Sequence, residues 1–230
     1  MTGAAHRHSR GLVVAIDGPS GAGKSTAGRA LADRLGYTYV DTGAMYRALT
    51  LKALRAGISP DHEDALALMA RSTQIDLLDG GRGVRLDGED VTAAIRSREV
   101  TAASSRVSAH PWVRRDMVER QRRLGAEGAV VLEGRDIGTA VFPDAEVKFF
   151  FDADPARRAR RRQAELAASG SEVSLEELER EIRARDHADS TRTDSPLVRA
   201  ADAVLLDTTE LSPEEVVARM AAVVAERRRP

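Results

Sequence analysis

The chain has no cysteine and no asparagine, and only three of its 230 residues are lysine: Lys24, Lys52 and Lys148. Without cysteine there are no disulfides, no thiolate nucleophile and no cysteine-ligated zinc, which fits a reducing compartment. Without asparagine there is no N-glycosylation acceptor. The guanine-recognition asparagine of switch GTPases and the catalytic-loop asparagine of protein kinases are missing as well. No apolar run approaches the ~18 residues of a membrane helix, and the opening MTGAAHRHSRG lacks the apolar core of a signal peptide, so a cytoplasmic protein is expected. Neither sign of charge is in excess. With 35 basic and 36 acidic side chains the net charge is −1, which argues against a general nucleic-acid binder. The five histidines (His6, His8, His62, His110, His187) are scattered without metal-ligand spacing, and no G-x-S-x-G elbow occurs. The remaining 32 basic residues are arginine, most of them the background of an Ala/Arg-rich chain from a GC-rich genome.

What is present describes a globular protein of one domain, or one domain with an insertion. Five short apolar runs stand out at 12–17 (LVVAID), 37–41 (YTYVD), 129–133 (AVVLE), 147–152 (VKFFFD) and 203–207 (AVLLD). Their apolarity is continuous rather than alternating, as in parallel strands covered on both faces. Helical patterns lie between them at 24–35, 45–56, 111–124, 155–168, 175–186 and 213–228. Strands alternating with helices predict a doubly wound α/β fold, with a five-stranded parallel sheet flanked by helices. The stretch 60–104 breaks the rhythm with a short helix over 63–71. A Gly-rich segment follows, in which DGGRG and LDGED read as turns between short antiparallel strands. It is expected to be a small insertion into a core formed by 11–59 and 105–230. The first ten residues and the tail ERRRP are expected to be loose.

Gly18-Pro19-Ser20-Gly21-Ala22-Gly23-Lys24-Ser25 matches G-x-x-x-x-G-K-[ST] between the first strand and the first helix. This is the context in which backbone N–H groups and a helix N-terminus converge on a polyphosphate. Lys24 is expected to line a solvated loop and reach the β- and γ-phosphates, and the Ser25 hydroxyl to ligate Mg²⁺. A compact ammonium here, in a chain that otherwise uses arginine, suits a gap between phosphates.

A P-loop alone leaves kinase, ATPase, GTPase and transporter readings open. Asp41-Thr42-Gly43-Ala44-Met45-Tyr46-Arg47 follows the second strand and Glu133-Gly134-Arg135-Asp136 ends the third, so both fall at the sheet's C-terminal edge, where α/β ligands bind. By themselves they also read as a helix cap and a loop ion pair. Arg158, Arg161 and Arg162 stand at i, i+3 and i+4, while Arg185, Asp189 and Arg192 stand at i, i+4 and i+7. A basic run is usually a solvated helix face. Downstream of a P-loop, such arginines can serve as cationic clamps on a mobile helical lid over 155–187.

GPSGAGKST, DTGAMYRALT, VTAASSRVSAHPWVRRDMVERQR, EGRDIGTAVFPDA and RDHADSTR, taken in this order, resemble the bacterial cytidylate kinases from about Leu12 to Val224. The resemblance implies a P-loop kinase of CMP and dCMP, with ATP as donor and Mg²⁺ as cofactor. It implies that Gly18, Pro19, Ser20, Gly21, Ala22, Gly23, Lys24, Ser25 and Thr26 hold the ATP phosphates. Arg47 and Arg135 would grip the acceptor phosphate, and Ser105, Arg114 and Asp136 would read the cytosine edge. Tyr46, Arg185, Asp189 and Arg192 would surround the ribose and the transferring phosphate, with Arg158, Arg161 and Arg162 closing from the lid. Thr42 stands where some members carry serine, and keeps the hydroxyl. The stretch 60–104 would be the enlarged monophosphate-binding insertion. A monophosphate acceptor is already a nucleophile, so positioning and charge neutralisation are the main tasks, led by Lys24, Arg135, Arg158, Arg162 and Arg185. A monomer without nucleic-acid or membrane partners is expected. Alternatives are another small-molecule P-loop kinase, or a nucleotide-dependent switch module.

Overall fold

The computed structural model describes residues 11–168 and 170–228. In chain order it runs β1 (Val13–Asp17), α1 (Lys24–Leu35), β2 (Thr38–Asp41), α2 (Thr42–Arg55) and α3 (Glu63–Ser72). Next come β3 (Ile75–Leu78), β4 (Gly83–Leu86), β5 (Glu89–Asp90), α4 (Arg98–Val107), α5 (Pro111–Gly125) and β6 (Val130–Gly134). The chain ends through β7 (Val147–Asp152), α6 (Pro155–Ala168), α7 (Leu175–Thr191), β8 (Val204–Asp207) and α8 (Pro213–Arg227).

Among the described residues five strands form a parallel sheet in the order β2-β6-β1-β7-β8, as expected. The central strand β1 is covered on both sides. Val14 and Ile16 pack with Leu31 of α1, Phe149 and Phe151 of β7, and Met220 and Val224 of α8. Ala15 faces the opposite layer, beside Val40, Leu132 and Ile137. Parallel pairing brings all five strand exits to one end of the sheet. That end carries the P-loop, the D-T-G turn and the G-R-D turn.

Three helices differ in extent from the sequence reading, each for a local reason. Helix α2 begins at Thr42 rather than 45, because the Asp41 carboxylate accepts the Ala44 N–H at 2.8 Å and caps it. Helix α7 continues past 186 to Thr191, where the Ser190 and Thr191 hydroxyls donate to the His187 carbonyl. Helix α4 was not anticipated within VTAASSRVSAH. Ser97 caps it, and Val100, Ser104 and Val107 form its buried stripe. The tail also departs from expectation. Glu226 and Arg227 complete α8, and Arg228 lies 5.0 Å over the Tyr37 ring while donating 2.6 Å to its hydroxyl. The expectation for residues 1–10 lies outside the described residues, as do 229–230 of the tail.

The stretch between β2 and β6 does contain antiparallel strands, in the order β3-β4-β5. Its apolar face packs on α2, through Val84, Leu86, Val91, Ile95 and Val100 against Ala44, Ala48 and Leu51. The turn after β3 also shields the outer edge of β2. Gly81 has φ 89°, and a Cβ there would lie 2.1 Å from the Tyr39 carbonyl oxygen. Gly88 has a similar φ of 91° with nothing within 4 Å of such a Cβ. Gly81→Ala should therefore cost about 2–4 kcal/mol, the left-handed backbone plus a backbone clash, and Gly88→Ala only about 1 kcal/mol. Urea denaturation of the two variants checks this; equal losses would mean that the turn does not pack against β2.

Candidate active site

A cleft of about 1260 Å³ opens at the C-terminal end of the sheet, between the P-loop, α2, α4 and the α6–α7 hairpin. The P-loop forms its floor. Lys24 is the first residue of α1 and is only 6% exposed, so it does not line a solvated loop as expected. Its Nζ donates to the Gly18 and Pro19 carbonyls, at 2.7 Å each. Burial, with Arg135 nearby, pulls the ammonium down to about 7 against the opposing pull of Glu133. Ser25 and Tyr39 both donate to Glu133 Oε1, at 2.6 Å each. The other carboxylate oxygen, Oε2, is buried without a hydrogen-bond partner. Burial raises the Glu133 carboxyl, and Asp41 adds to it.

Three arginines of α6 were expected to act together, and the structure gives them different surroundings. Arg158 is buried. Its guanidinium donates to the Ala153 carbonyl at 2.9 Å and to the Ser20 carbonyl of the P-loop at 3.1 Å, and it pairs with Asp186 of α7 at 2.6 Å. Arg161 donates to the Thr208 carbonyl at 2.5 Å, and the Thr208 hydroxyl donates to the Ala22 carbonyl of the P-loop at 2.8 Å. Arg162 lines the cleft and pairs with Glu165 on its own helix at 3.1 Å.

The other half of the cleft gathers the motifs from α2, β6 and α7. Arg47 of α2 pairs with Asp41 at 3.0 Å. The Thr42 hydroxyl turns to the backbone instead, donating to the Glu133 carbonyl at 2.7 Å. Arg135, just beyond β6, donates to Asp189 of α7 at 2.8 Å. Burial works against the Arg135 charge, but Asp189 outweighs it and holds the guanidinium above its ordinary range. Arg185 lies one turn before Asp189. Burial and the neighbouring Arg135 lower it to about 10, and its Nε is without a partner. Farther along, Asp136 pairs with Arg114 of α5 and, at 3.6 Å, with Arg192 at the end of α7. Arg114 also lies 5.6 Å over the Tyr46 ring, whose buried hydroxyl has no partner and is pushed up to about 12 by burial. Ser105 of α4 lines the same corner, half-buried.

The structure thus brings residues 20–26, Thr42, Tyr46, Arg47, Ser105, Arg114, Arg135, Asp136, Arg161, Arg162, Arg185, Asp189 and Arg192 to a single cleft, whereas Gly18, Pro19 and the buried Arg158 lie behind its wall. Unpartnered buried atoms of Tyr46, Arg47, Arg114, Glu133 and Arg185 sit on its walls, and buried polar groups without protein partners are uncommon except where a ligand completes them. Four acids beside the site escaped the sequence reading as site residues: Asp17, Asp41, Glu133 and Asp186. Asp17 and Asp41 end strands of the sheet and Glu133 is the penultimate residue of β6, and that position was their legible signal. Asp186 stands in the RDHADSTR motif, but its partner Arg158 is distant in sequence, so the pairing was not legible.

A sequence model of the cytidylate kinases matches residues 14–226. The cytidylate kinase of Geobacter sulfurreducens is 53% identical over 96% of this chain and 95% of its own. That of Syntrophotalea carbinolica is 52% identical, over 95% and 94% of the two chains. That of Desulfitobacterium hafniense is 53% identical, over 92% and 91%. With a P-loop at one end of the cleft, paired arginines at the other and relatives matched over nearly their whole length, the chain belongs to the cytidylate kinase family.

Proposed function

We propose that the two halves of the cleft hold ATP and CMP end to end, so that the γ-phosphate of ATP passes in line to the acceptor phosphate. The products are ADP and CDP, or dCDP from dCMP. ATP-dependent phosphorylation of CMP and dCMP is the activity of a cytidylate kinase. One observation carries the residue assignment: Lys24, Arg135, Arg185 and Arg47 occupy the middle of the cleft, between the P-loop and the Arg114–Asp136–Arg192 corner.

In this reading Gly18 to Thr26 cradle the donor phosphates, and Lys24 turns from its carbonyl partners to the β- and γ-oxygens. Arg158 keeps the loop in shape through the Ser20 carbonyl, Arg161 lies at the donor end, and Arg162 closes over the phosphates. Arg47, Arg135 and Arg185 neutralise the acceptor and transferring phosphates, with Asp189, Tyr46 and Arg192 around the sugar. No general base is required, because the acceptor oxygen is anionic at neutral pH. The work is alignment of two anions and neutralisation of the charge spread over the equatorial oxygens.

The Ser25 hydroxyl and the free Glu133 Oε2 suit a hard, oxygen-ligated cation such as Mg²⁺. No cluster of three or more metal-ligating side chains exists among the described residues, so phosphate oxygens and water would complete the shell. When bound, the ion would offset phosphate charge and hold the donor oxygens in place.

Asp136 supports cytosine selection. Cytosine presents an amine at C4 where uracil has a carbonyl, and a buried carboxylate facing that carbonyl would leave two acceptors opposed. We assign 60–104 as the acceptor-binding insertion, 155–187 as the lid, and 11–59 with 105–230 as the core. The large exposed apolar side chains Leu68, Trp112, Leu124, Val198 and Leu205 are divided among α3, α5, a loop and β8, which favours a monomer. The near-neutral chain disfavours nucleic acid, and no described helix is long and apolar enough to cross a membrane. A cytoplasmic enzyme fits these features.

Four outcomes test the assignment. Lys24→Met should lower kcat by at least about 10²-fold with the fold retained. Burial lowers Lys24 to about 7, so its ammonium is only partly charged near neutral pH. Polyphosphate favours the charged form, so ATP binding should take up protons, as read from calorimetry in buffers of different ionisation enthalpy. Lys24→Met should abolish that uptake. Arg135→Ala should raise the CMP KM by about 10²-fold while ATP affinity is kept; a normal CMP KM would overturn its place on the acceptor. Asp136→Asn should narrow the ratio of kcat/KM between CMP and UMP by about tenfold or more, and an unchanged ratio would remove it from base recognition.

A further inference from the structure

Asp17 is the last residue of β1, directly before the P-loop and 4% exposed. Its carboxylate reaches across to the chain leaving β6. Oδ1 accepts the Ile137 N–H at 2.8 Å and Oδ2 the Gly138 N–H at 2.7 Å. These N–H groups open the wide helical turn Ile137–Val141, whose capping residue is Asp136. An aspartate at a helix N-terminus usually turns back to accept the first free N–H groups. Asp136 makes no such bond. Its carboxylate points instead to Arg114 and Arg192.

We infer that Asp17 is a positioning residue for the acceptor end of the cleft: it caps the turn from a neighbouring strand, which leaves Asp136 facing the cleft and Arg135 aimed at Asp189. The register supports this, since Asp17 lies beside Gly134 in the β1–β6 pairing and Arg135 and Asp136 are the next two residues. Without a carboxylate at 17 at least one of the two N–H groups is left buried without a partner, and Asp136, close enough to act on the Asp17 charge, is a carboxylate able to serve it. Asp136 cannot cap the turn and face the cleft at once. Burial is the main influence on Asp17 and, with the like charge of Asp136, pushes its carboxyl up to about 6, opposed by the two N–H donors and by Lys24. The group is thus held at a cost in solvation, and the two backbone bonds are its compensation.

The inference rests on the assignment of Arg135 and Asp136 to the acceptor, so the experiment separates the two. In Asp17→Asn one oxygen becomes an NH₂ that opposes a backbone N–H, at nearly constant volume. Three quantities are measured: the CMP KM at saturating ATP, the Kd of ATP alone, and amide exchange in the segment 135–142. The CMP KM should rise by about tenfold or more, exchange in that segment should quicken, and the ATP Kd should stay within about threefold. A generally loosened β1 and P-loop would instead weaken ATP as much as CMP. That outcome overturns the inference, as does an unchanged CMP KM. Should Asp17→Asn fail to fold, Asp17→Ser fits the space and can accept one N–H, and the same split with a smaller rise is expected. Arg135→Ala in the same assay reports on the underlying assignment. If it raises the CMP KM and neither Asp17 variant does, only the inference about Asp17 falls. If Arg135→Ala also leaves the CMP KM unmoved, both fall together.

Discussion

Cations placed side by side in a water-poor cleft repel one another strongly, because the local dielectric screens them far less than water does. The site of this protein is arranged around that constraint. Arg47 is held by Asp41 from the end of β2, and Arg135 by Asp189 from α7. Arg114 and Arg192 are held by Asp136, and Glu133 draws on Lys24. Each acid comes from a different segment than the helix or strand it approaches, or from the far end of its own. Arg185 is the least compensated and is accordingly lowered. Its unpartnered Nε leaves it the group on the cleft wall that an anion would most relieve.

Compensation also links neighbouring elements. Arg158 joins α6 to the P-loop backbone and, through Asp186, to α7, so the base of the α6–α7 hairpin and the P-loop share one buried guanidinium. Arg98 of α4 reaches Glu177 and, at 2.6 Å, Glu181 of α7 across the mouth of the cleft. The two connections differ in strength. Exposed pairs contribute little and are easily exchanged for water, whereas a buried pair left without one partner is costly. Exchanging the exposed pairs for water would free α4 from α7 at little cost, while the buried Arg158–Asp186 pair would hold.

Much of this was legible in the residues. The continuous apolar runs located all five strands of the central sheet, because strands packed between layers of helices are mostly apolar on both faces; the edge strand β8 is the exception, with Leu205 exposed. The P-loop spacing placed Lys24 and Ser25, and G-R-D at the end of β6 placed Arg135 and Asp136. Helix α4 was missed because its run of alanine, serine and threonine carries only two large apolar residues, Val100 and Val107, although these share one buried face, which packs on α2 and the insertion strands. The start of α2 was placed three residues late, at 45, although the D-T-G turn also read as a helix cap; Asp41 does cap the helix, from directly before Thr42.

The sequence by itself determined the fold class, the phosphate-binding loop and the set of arginines available to the site, since each follows from local spacing or from periodicity along one segment. It also placed acids at the ends of β1, β2 and β6. Only the tertiary structure decided what those acids do. Asp17 and Ile137 are far apart along the chain, as are Ser25 and Glu133, and Arg158 and Asp186, so no local pattern connects them. Their pairing is set by strand order and by where the helices cross, and burial then gives each pair its energetic weight. The roles of Arg158 and Lys24 changed for the same reason: accessibility belongs to the packed molecule, and a motif does not carry it.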